Sequence, residues 1–134
     1  MANPAKKRGT EHESQCVRWL KRHGWGFARR ITQKGAKDEG DIVLGDGVPI
    51  MVEAKNEKTI TLALYAKEME AQIENALAET GVVIIKRRGT TDVGQYYALT
   101  TVNHWNRLAL AVYKVRQRKK RVIRSERPIA AEDK

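Results

Sequence analysis

Two carboxylates and one lysine are closely spaced in the segment GDIVLGDGVPIMVEAK, which begins at residue 40. Two short apolar runs in it flank Gly45-Asp46-Gly47, a pattern that predicts a hairpin turn. Because side chains alternate along a strand, Glu53 and Lys55 are expected to share one face. Folding back about the turn brings Asp41 opposite Val52 or Glu53, depending on whether the loop has two or three residues.

Either register brings the carboxylates of Asp41 and Glu53 together beside Lys55. Neighbouring carboxylates repel each other unless a proton or a cation lies between them. Hard oxygen ligands with room for water suit Mg²⁺ or Mn²⁺. A nearby lysine could orient or deprotonate an attacking water, or neutralise charge in a phosphodiester transition state. The alternative interpretation is that these charges form only the solvated face of a half-exposed strand.

A third carboxylate, Glu13, belongs to the first predicted helix. Thr10 is a suitable N-cap, and Glu13 lies three residues later, as in a capping box. The helix is predicted to run to about His23. Its apolar stripe consists of Cys16, Val17 and Leu20, and at about 100° per residue Glu13 falls at the centre of that stripe. Since a core-facing acid is costly without a partner, Glu13 either caps the first turn or faces the two carboxylates of the hairpin.

Composition limits the class of protein. The chain has 134 residues, which predicts one domain with a modest core. A single cysteine, Cys16, excludes an internal disulfide framework, and three scattered histidines show no metal-ligand spacing. No apolar run is long enough to cross a membrane, and the basic N-terminus lacks the apolar segment of a signal peptide. We therefore expect an intracellular, cytoplasmic protein with no membrane partner.

The charge is strongly basic and unevenly distributed. The net charge is +10, from 26 basic and 16 acidic residues. Residues 114–134 contain nine Lys and Arg against three acids. Such an excess indicates a polyanionic partner, most often nucleic acid. A solubility feature or a disordered tail is the alternative interpretation.

The hydrophobic pattern predicts an α/β protein with a mixed central sheet flanked by helices, in the order αβββαββα. After the first helix come three strands, at residues 25–31, 41–44 and 48–55. A second helix over residues 62–79 is expected to stop at Gly81, and the apolar run 82–85 predicts a central strand buried on both faces. A strand at 95–99 and a last helix, capped by Thr101, complete the set. The pattern divides the chain into a basic flexible arm (1–8), a domain (9–113) and a basic tail (114–134) that either extends the last helix or is disordered.

Several short motifs occur in an order that resembles the PD-(D/E)XK nucleases, and more closely the archaeal-type Holliday junction resolvases and related small phage-encoded nucleases. The resemblance covers roughly residues 9 to 112. Its motifs are Gly9-Thr10-Glu11-His12-Glu13, Gly24-Trp25 followed by Arg29, Asp41-Ile42-Val43 and Glu53-Ala54-Lys55. Gly40 replaces the proline that precedes the aspartate in the family. Gln72 in the following helix, and Thr32 in the loop before Asp41, are candidates for two further site residues.

This resemblance implies a restriction-endonuclease-like core over residues 9–113 and a structure-specific DNA endonuclease. The implied reaction is Mg²⁺-dependent hydrolysis of phosphodiesters, with Mn²⁺ as a substitute metal. The implied substrate is a four-way DNA junction, nicked in symmetric pairs by a homodimer. This is consistent with symmetry, because paired cuts need two sites and so small a chain supplies one. A phage-encoded protein acting in the host cytoplasm would fit the same resemblance.

The resemblance also assigns roles to the residues. Asp41 and Glu53 bind Mg²⁺, and the Ala54 carbonyl is a third candidate ligand. Lys55 positions the water or stabilises developing charge, and Glu13 completes the metal shell or holds a second ion. The implied catalytic set is Glu13, Asp41, Glu53, Lys55 and Gln72.

DNA contacts are expected from basic side chains outside this set. They would bind phosphates, so recognition would depend on DNA shape and fall steeply with salt. For the run at 86–88, a solvated hairpin tip is the alternative. Trp19, Trp25 and Trp105 are interpreted as core or dimer residues rather than base-stacking platforms. The expected DNA-binding residues are Arg29, Arg30, Lys86, Arg87, Arg88, Lys119 and Lys120.

Two other functions remain open at this point. The same fold serves endonucleases that cut flaps, single strands or duplexes, because fold does not determine substrate. A non-catalytic DNA-binding protein on the same fold is the alternative from another class.

Overall fold

The structure is a computed structural model and describes residues 3–126. Residues 1–2 of the expected basic arm and residues 127–134 of the expected tail lie outside the described part. The chain divides into two compact units, residues 1–101 and 102–134. The elements follow in the order α1 (Pro4–Arg22), β1 (Arg29–Arg30), β2 (Ile42–Val43), β3 (Ile50–Lys55), α2 (Leu62–Asn75), β4 (Thr80–Ile85), a short 3-10 helix (Val93–Gln95), β5 (Tyr97–Leu99) and α3 (Val102–Ser125).

The first unit is built on one five-stranded sheet with the strand order β1-β2-β3-β4-β5. Strands β3 and β4 are parallel and are connected by α2, whereas the other neighbouring pairs are antiparallel. The predicted α/β class with a mixed sheet is therefore confirmed. The apolar run 82–85, from which a buried central strand was predicted, lies in β4 between β3 and β5. Its residues Val83 and Ile85 are buried.

The two faces of the sheet carry separate cores, because side chains alternate along β3. Val52 packs with Cys16 and Leu20 of α1 on one face. Met51 packs with Met69 and Ile73 of α2 on the other. Glu53 and Lys55 follow Met51 at two-residue steps, so they project toward α2 at the carboxyl end of β3.

Helix α1 begins at Pro4, seven residues before the start predicted from a cap at Thr10, so the expected flexible arm is wrong for residues 4–8. The Asn3 side chain accepts a hydrogen bond from the Ala5 amide at 3.0 Å and caps the helix. Proline at the first helical position costs no hydrogen bond, because its missing N–H has no intrahelical partner there. Thr10 is therefore not the cap, and Glu13 lies in the middle of the helix rather than in its first turn.

Helix α2 ends at Asn75 rather than near residue 79, and Gly81 belongs to β4 instead of stopping the helix. Leu77 takes a left-handed conformation with φ 53°, and the Ala78 amide donates to the Ile73 carbonyl at 3.0 Å. A Cβ on Gly81 would lie 2.8 Å from Cγ1 of Ile73. Gly81 is thus explained by close packing between α2 and the sheet.

The outer strands are shorter than predicted. Strand β1 contains only Arg29 and Arg30, because a turn closed by the Ala28 amide and the Trp25 carbonyl at 3.0 Å occupies the preceding residues. Strand β5 starts two residues later than predicted, after the 3-10 helix, whose N-cap Asp92 accepts from the Gly94 amide at 3.0 Å.

The second unit contains α3, which continues to Ser125 without a break. Of the two alternatives for residues 114–134, helix extension is therefore observed as far as residue 125. Between 114 and 125 the helix carries seven basic residues and no acid. None of the helices in the described part of the chain has the length and apolarity needed to span a membrane.

Candidate active site

The β2–β3 hairpin brings the carboxylates of Asp41 and Glu53 to one backbone amide. The strands pair Ile42 with Val52, and the Asp41 amide donates to the Val52 carbonyl at 2.9 Å. The Ala54 amide then lies 3.0 Å from Oδ2 of Asp41 and 3.3 Å from Oε1 of Glu53. Both carboxylates are buried, with 5 % of each residue exposed. Two acids that share one amide hydrogen in a buried place favour a cation between them.

Gly40 is the residue that allows Asp41 to reach this position. It has φ 96°, which a proline, fixed near −65°, cannot adopt. A Cβ at this position would lie 2.6 Å from Sδ of Met51 and 2.8 Å from the Val52 carbonyl oxygen. A glycine at position 40 is therefore required by this backbone.

Lys34 provides a cation at Asp41 that the sequence did not single out. Its Nζ lies 2.5 Å from Oδ1 of Asp41. Burial alone would lower the pKa of Lys34, but the hydrogen bond to Asp41 and the negative charges of Asp41, Glu13 and Asp38 raise it. Lys34 is thus a stable ammonium group facing the buried acid. Thr32, the expected loop contributor, is exposed in the same loop.

Gln72 of α2 joins Glu53 to a fourth acid, Asp38. Its Nε2 donates to Oε2 of Glu53 and, at 2.9 Å, to Oδ2 of Asp38. The Asp38 side chain also accepts from the Gly40 amide at 2.9 Å, which fixes the turn before Asp41. Gln72 is buried, and its Oε1 has no hydrogen-bond partner among residues 3–126.

Lys55 is held as a cation on the same face of β3. Its Nζ lies 3.0 Å from Oε2 of Glu68, 3.7 Å from Oε1 of Glu57 and 5.3 Å from the centre of the Tyr65 ring. Burial opposes the charge, but Glu68, Glu57 and Asp41 outweigh it and raise the pKa of Lys55. A lysine with a raised pKa stays protonated and so cannot accept a proton. The arrangement therefore favours charge stabilisation by Lys55 over general-base chemistry.

Glu13 points from α1 toward the site but is held by Arg30. Oε2 of Glu13 lies 2.9 Å from Nε of Arg30. Burial and the nearby charge of Asp41 raise the pKa of Glu13, whereas Arg30 acts in the opposite direction. Within residues 3–126, no group of three or more His, Cys, Asp or Glu side chains is arranged to hold a metal ion. Asp41 is therefore close enough to Glu13 to raise its pKa, but the two residues do not belong to one group of potential metal ligands.

A cleft of about 1100 Å³ opens above these residues, at the carboxyl ends of β3 and β4. Asp38, Asp41 and Glu53 form acidic parts of its lining. Its cationic and apolar lining includes Arg8, Lys34, Lys55, Lys58, Lys86, Arg88, Ile60 and Tyr97. An acidic centre with cationic surroundings suits a metal ion together with a phosphate.

The expected DNA-binding residues are distributed over several places. Lys86 and Arg88 line the cleft, and the Arg87 guanidinium lies 5.5 Å from the centre of the Tyr97 ring. Arg29 is exposed and pairs with Asp46 at 3.4 Å, whereas Arg30 is engaged by Glu13. Lys119 and Lys120 are exposed on α3, in the second unit.

The tryptophans divide into two groups. Trp19 and Trp25 pack against the core between α1 and the sheet, as interpreted from the sequence, and Trp19 also stacks on His23 with ring centres 4.0 Å apart. Trp105 of α3 is exposed.

Four contributors to the site were missed at the sequence level. Lys34 and Asp38 belong to the irregular loop between β1 and β2, where no periodic pattern in the sequence indicates which way a side chain points. Glu68 had a detectable signal, since it lies among Tyr65, Met69 and Gln72 on the inner side of α2. Tyr97 could have been found because it lies two residues before Leu99, on the face of β5 that packs on α2.

The donors at the centre of the cleft fit Mg²⁺. This ion uses only one or two protein carboxylates, since it retains several waters. Asp41 and Glu53 supply two carboxylates, and the backbone carbonyl of Ala54, the residue after Glu53, is a third oxygen donor. The unpartnered Oε1 of Gln72 is a further oxygen donor beside Glu53. All are hard oxygen ligands, as Mg²⁺ and Mn²⁺ require.

No protein-family model, curated protein or solved structure matches this chain. The proposal for its function therefore rests on the residues and on the geometry of the cleft.

Proposed function

We propose that this protein is a Mg²⁺-dependent DNA endonuclease of the PD-(D/E)XK type, with a restriction-endonuclease-like core, that cuts four-way junctions. One observation carries the proposal: Asp41 and Glu53 converge on the Ala54 amide, with the Lys55 ammonium group two residues along the same strand. Acid, acid and lysine in this order suit phosphodiester hydrolysis better than a role in folding, because burying two carboxylates side by side is costly.

The chain's own residues would divide the work as follows. Asp41, Glu53 and the Ala54 carbonyl would hold Mg²⁺, which supplies Lewis acidity and charge neutralisation at a phosphate. Lys55, kept protonated by Glu68, stabilises the negative charge that develops on the phosphate. Gln72 fixes the Glu53 carboxylate through its Nε2. Glu13, bound to Arg30, adds negative charge beside Asp41 or holds a second ion.

The substrate class follows from the charges around the cleft. Arg8, Lys58, Lys86 and Arg88 line it, and the proposed polyanion is DNA bound through its phosphates. Further phosphate contacts would come from the basic residues of α3, including Lys119 and Lys120. Paired symmetric cuts in a junction require two sites related by a two-fold axis, so a homodimer is part of the proposal.

Cleavage of an immobile four-way junction tests this function, with linear duplex and flap DNA as comparison substrates. Reactions contain Mg²⁺, Mn²⁺ or EDTA, and products are mapped on both strands. We expect paired nicks on the junction with either metal and no cleavage in EDTA. Light scattering on the protein alone, and on its junction complex, measures the number of chains.

Matched variants connect the activity to the site. Asp41→Asn is expected to abolish cleavage and Lys55→Ala to lower kcat about 100-fold or more. Asp46→Asn at the hairpin tip and Lys37→Ala in the adjoining loop are expected to keep the activity. Circular dichroism checks that each variant is folded. Tight junction binding without cleavage under any divalent metal would contradict the enzyme and leave a non-catalytic DNA-binding protein on this fold.

A flap or single-strand endonuclease is the second candidate. The specific observation in its favour is an exposed aromatic side chain, Tyr97, in the lining of a cleft that is mostly polar and charged. Preferential cleavage of flaps in the same assay would keep the site and change the substrate.

A further inference from the structure

The lining of the cleft contains an exposed aromatic ring. Tyr97 is 49 % exposed, and Ile60, also exposed, is a second apolar residue of the lining. The cations of the cleft lining would be sufficient to bind phosphates, so phosphate binding does not explain the aromatic ring. An exposed ring among cations matches an unpaired nucleobase, which presents a flat apolar face next to a phosphate.

The sheet register fixes the position of Tyr97 relative to the reacting centre. Lys55 pairs with Ile85, and Ile85 pairs with Tyr97, so these three residues form one row across β3, β4 and β5. Neighbouring strands are about 4.8 Å apart, which separates Tyr97 from Lys55 by about 10 Å. A stacked strand advances about 3.4 Å per nucleotide, so this distance corresponds to about three nucleotides.

Tyr97 and Lys55 also project from the same face. Leu99 packs into the α2 core, and Tyr97 lies two residues earlier on β5, so its ring has the same orientation. A strand with one phosphate at Lys55 can therefore run across β4 to the ring without changing faces of the sheet.

The Arg87 guanidinium extends the aromatic surface. It lies 5.5 Å from the centre of the Tyr97 ring, and both side chains are exposed. Arginine planes and tyrosine rings both stack on unpaired bases. Lys86 and Arg88, on either side of Arg87 in sequence, line the cleft and supply charge for the flanking phosphates.

We propose that Tyr97, supported by Arg87, is a subsite for an unpaired nucleobase of a DNA strand whose phosphate lies at Lys55. The inference rests on the proposed nuclease function and, within it, favours the second candidate substrate, a flap or single strand with unpaired nucleotides near the cut. The subsite recognises the base by stacking, so it tolerates any sequence.

Binding measured without cleavage tests the subsite. Fluorescence anisotropy in EDTA compares a labelled oligothymidylate with a blunt duplex, using the full chain. Tyr97→Ala is expected to weaken binding of the single strand by about 5- to 150-fold, the range that corresponds to loss of one base–aromatic stack. Duplex binding stays unchanged. Tyr97→Phe retains single-strand binding, whereas Tyr97→Leu, which keeps apolar area, does not.

A matched control uses Phe27→Ala, which removes another exposed aromatic ring of the same unit that does not line the cleft. It is expected to bind both DNAs like the wild type. A 2-aminopurine base placed in the single strand should be quenched by the wild type, by Tyr97→Phe and by Phe27→Ala, but not by Tyr97→Ala or Tyr97→Leu. Equal losses on both DNAs, or no loss in Tyr97→Ala, would overturn the subsite.

The two proposals can fail separately. If no DNA is cleaved but Tyr97→Ala loses single-strand binding selectively, the nuclease function is wrong and the subsite stands. If junctions are cleaved and Tyr97→Ala binds single strands like the wild type, the function stands and the subsite is wrong.

Discussion

The ammonium group of Lys34 lies 2.5 Å from Oδ1 of Asp41, on the carboxylate whose other oxygen meets the Ala54 amide. Asp41 is therefore satisfied at both oxygens by groups of this chain. A divalent cation that binds the same carboxylate would have to approach an oxygen whose negative charge Lys34 already neutralises. The lysine would thus compete with the proposed Mg²⁺ for Asp41.

Replacing Lys34 with methionine is expected to tighten Mn²⁺ binding. Lys34 is about half exposed, so the ion pair is worth about 1 kcal/mol, which corresponds to about fivefold in affinity. Titration calorimetry with Mn²⁺ measures the change. Lys37→Met, an exposed lysine three residues along the same loop, is the control and should bind like the wild type. Weaker Mn²⁺ binding in Lys34→Met would mean that Lys34 organises the loop instead of competing.

Replacing Gly40 with alanine is expected to lower the free energy of unfolding by about 2 kcal/mol or more. The left-handed conformation at φ 96° strains any L side chain, and the added Cβ would meet Met51 and the Val52 carbonyl. Urea denaturation followed by circular dichroism measures the loss. Gly35→Ala in the same loop has no atom within 4 Å of its Cβ, so it should stay within about 0.5 kcal/mol. Equal stability of the two variants would contradict this account.

Elements buried on both faces could be predicted from the sequence, and the ends of elements could not. The run from Val82 to Ile85 predicts its strand because burial on two faces leaves no polar position. The start of α1 was missed because Asn3 and Pro4, its cap and first residue, precede a basic stretch with no apolar stripe. The end of α2 was missed because Leu77 continues the apolar spacing but is 90 % exposed and itself takes a left-handed conformation after the end of the helix.

Those site residues could be predicted whose side-chain direction is fixed by the periodicity of a strand or a helix. Alternation in β3 and the helical spacing of α2 bring Glu53 and Gln72 into contact, and the hairpin turn brings in Asp41. Lys34 and Asp38 come from a loop whose path depends on hydrogen bonds, such as the Gly40 amide to Asp38 at 2.9 Å. Such a path has no repeating pattern in the sequence.

Stability is expected to fall as pH drops below about 6.5, in part because of His12. Burial lowers the pKa of His12 from its ordinary value of 6.5, with the charge of Lys86 acting in the same direction and Ile84 and Asp41 opposing it. The unfolded chain therefore takes up a proton near that pH, whereas the folded chain resists it. The contribution of His12 is fully present above the unfolded pKa and declines below it, by at most about 1.4 kcal/mol per pH unit.

Urea midpoints at several pH values check the role of His12. His12→Phe removes this titration, so its stability should depend less steeply on pH between about 7 and about 5 than that of the wild type. His23→Phe, at an exposed histidine, is the control for replacing a histidine by phenylalanine. Parallel curves for the wild type and His12→Phe would contradict the assignment.

The basic half of α3 is expected to set much of the salt dependence of DNA binding. The double substitution Lys119→Ala and Lys120→Ala removes two exposed cations. If both contact phosphates of duplex DNA, the slope of log K against log salt concentration should become shallower by about 1.8. Anisotropy titrations over a range of salt measure it. The matched double substitution Lys21→Ala and Arg22→Ala, at the end of α1, should keep the slope, and a shallower slope there as well would indicate a diffuse charge effect.

Glu68 is expected to act through Lys55, whose ammonium group it holds at 3.0 Å. Lys55→Ala should lower kcat about 100-fold or more, as loss of one charge-stabilising donor typically does. Glu68→Gln should lower kcat less and leave KM unchanged, because it misplaces the lysine without removing it. The double variant should be no slower than Lys55→Ala alone, since the two side chains act as one unit. Glu74→Gln, an exposed acid on the same helix, is the control, and additive losses in the double variant would show that Glu68 acts independently of Lys55.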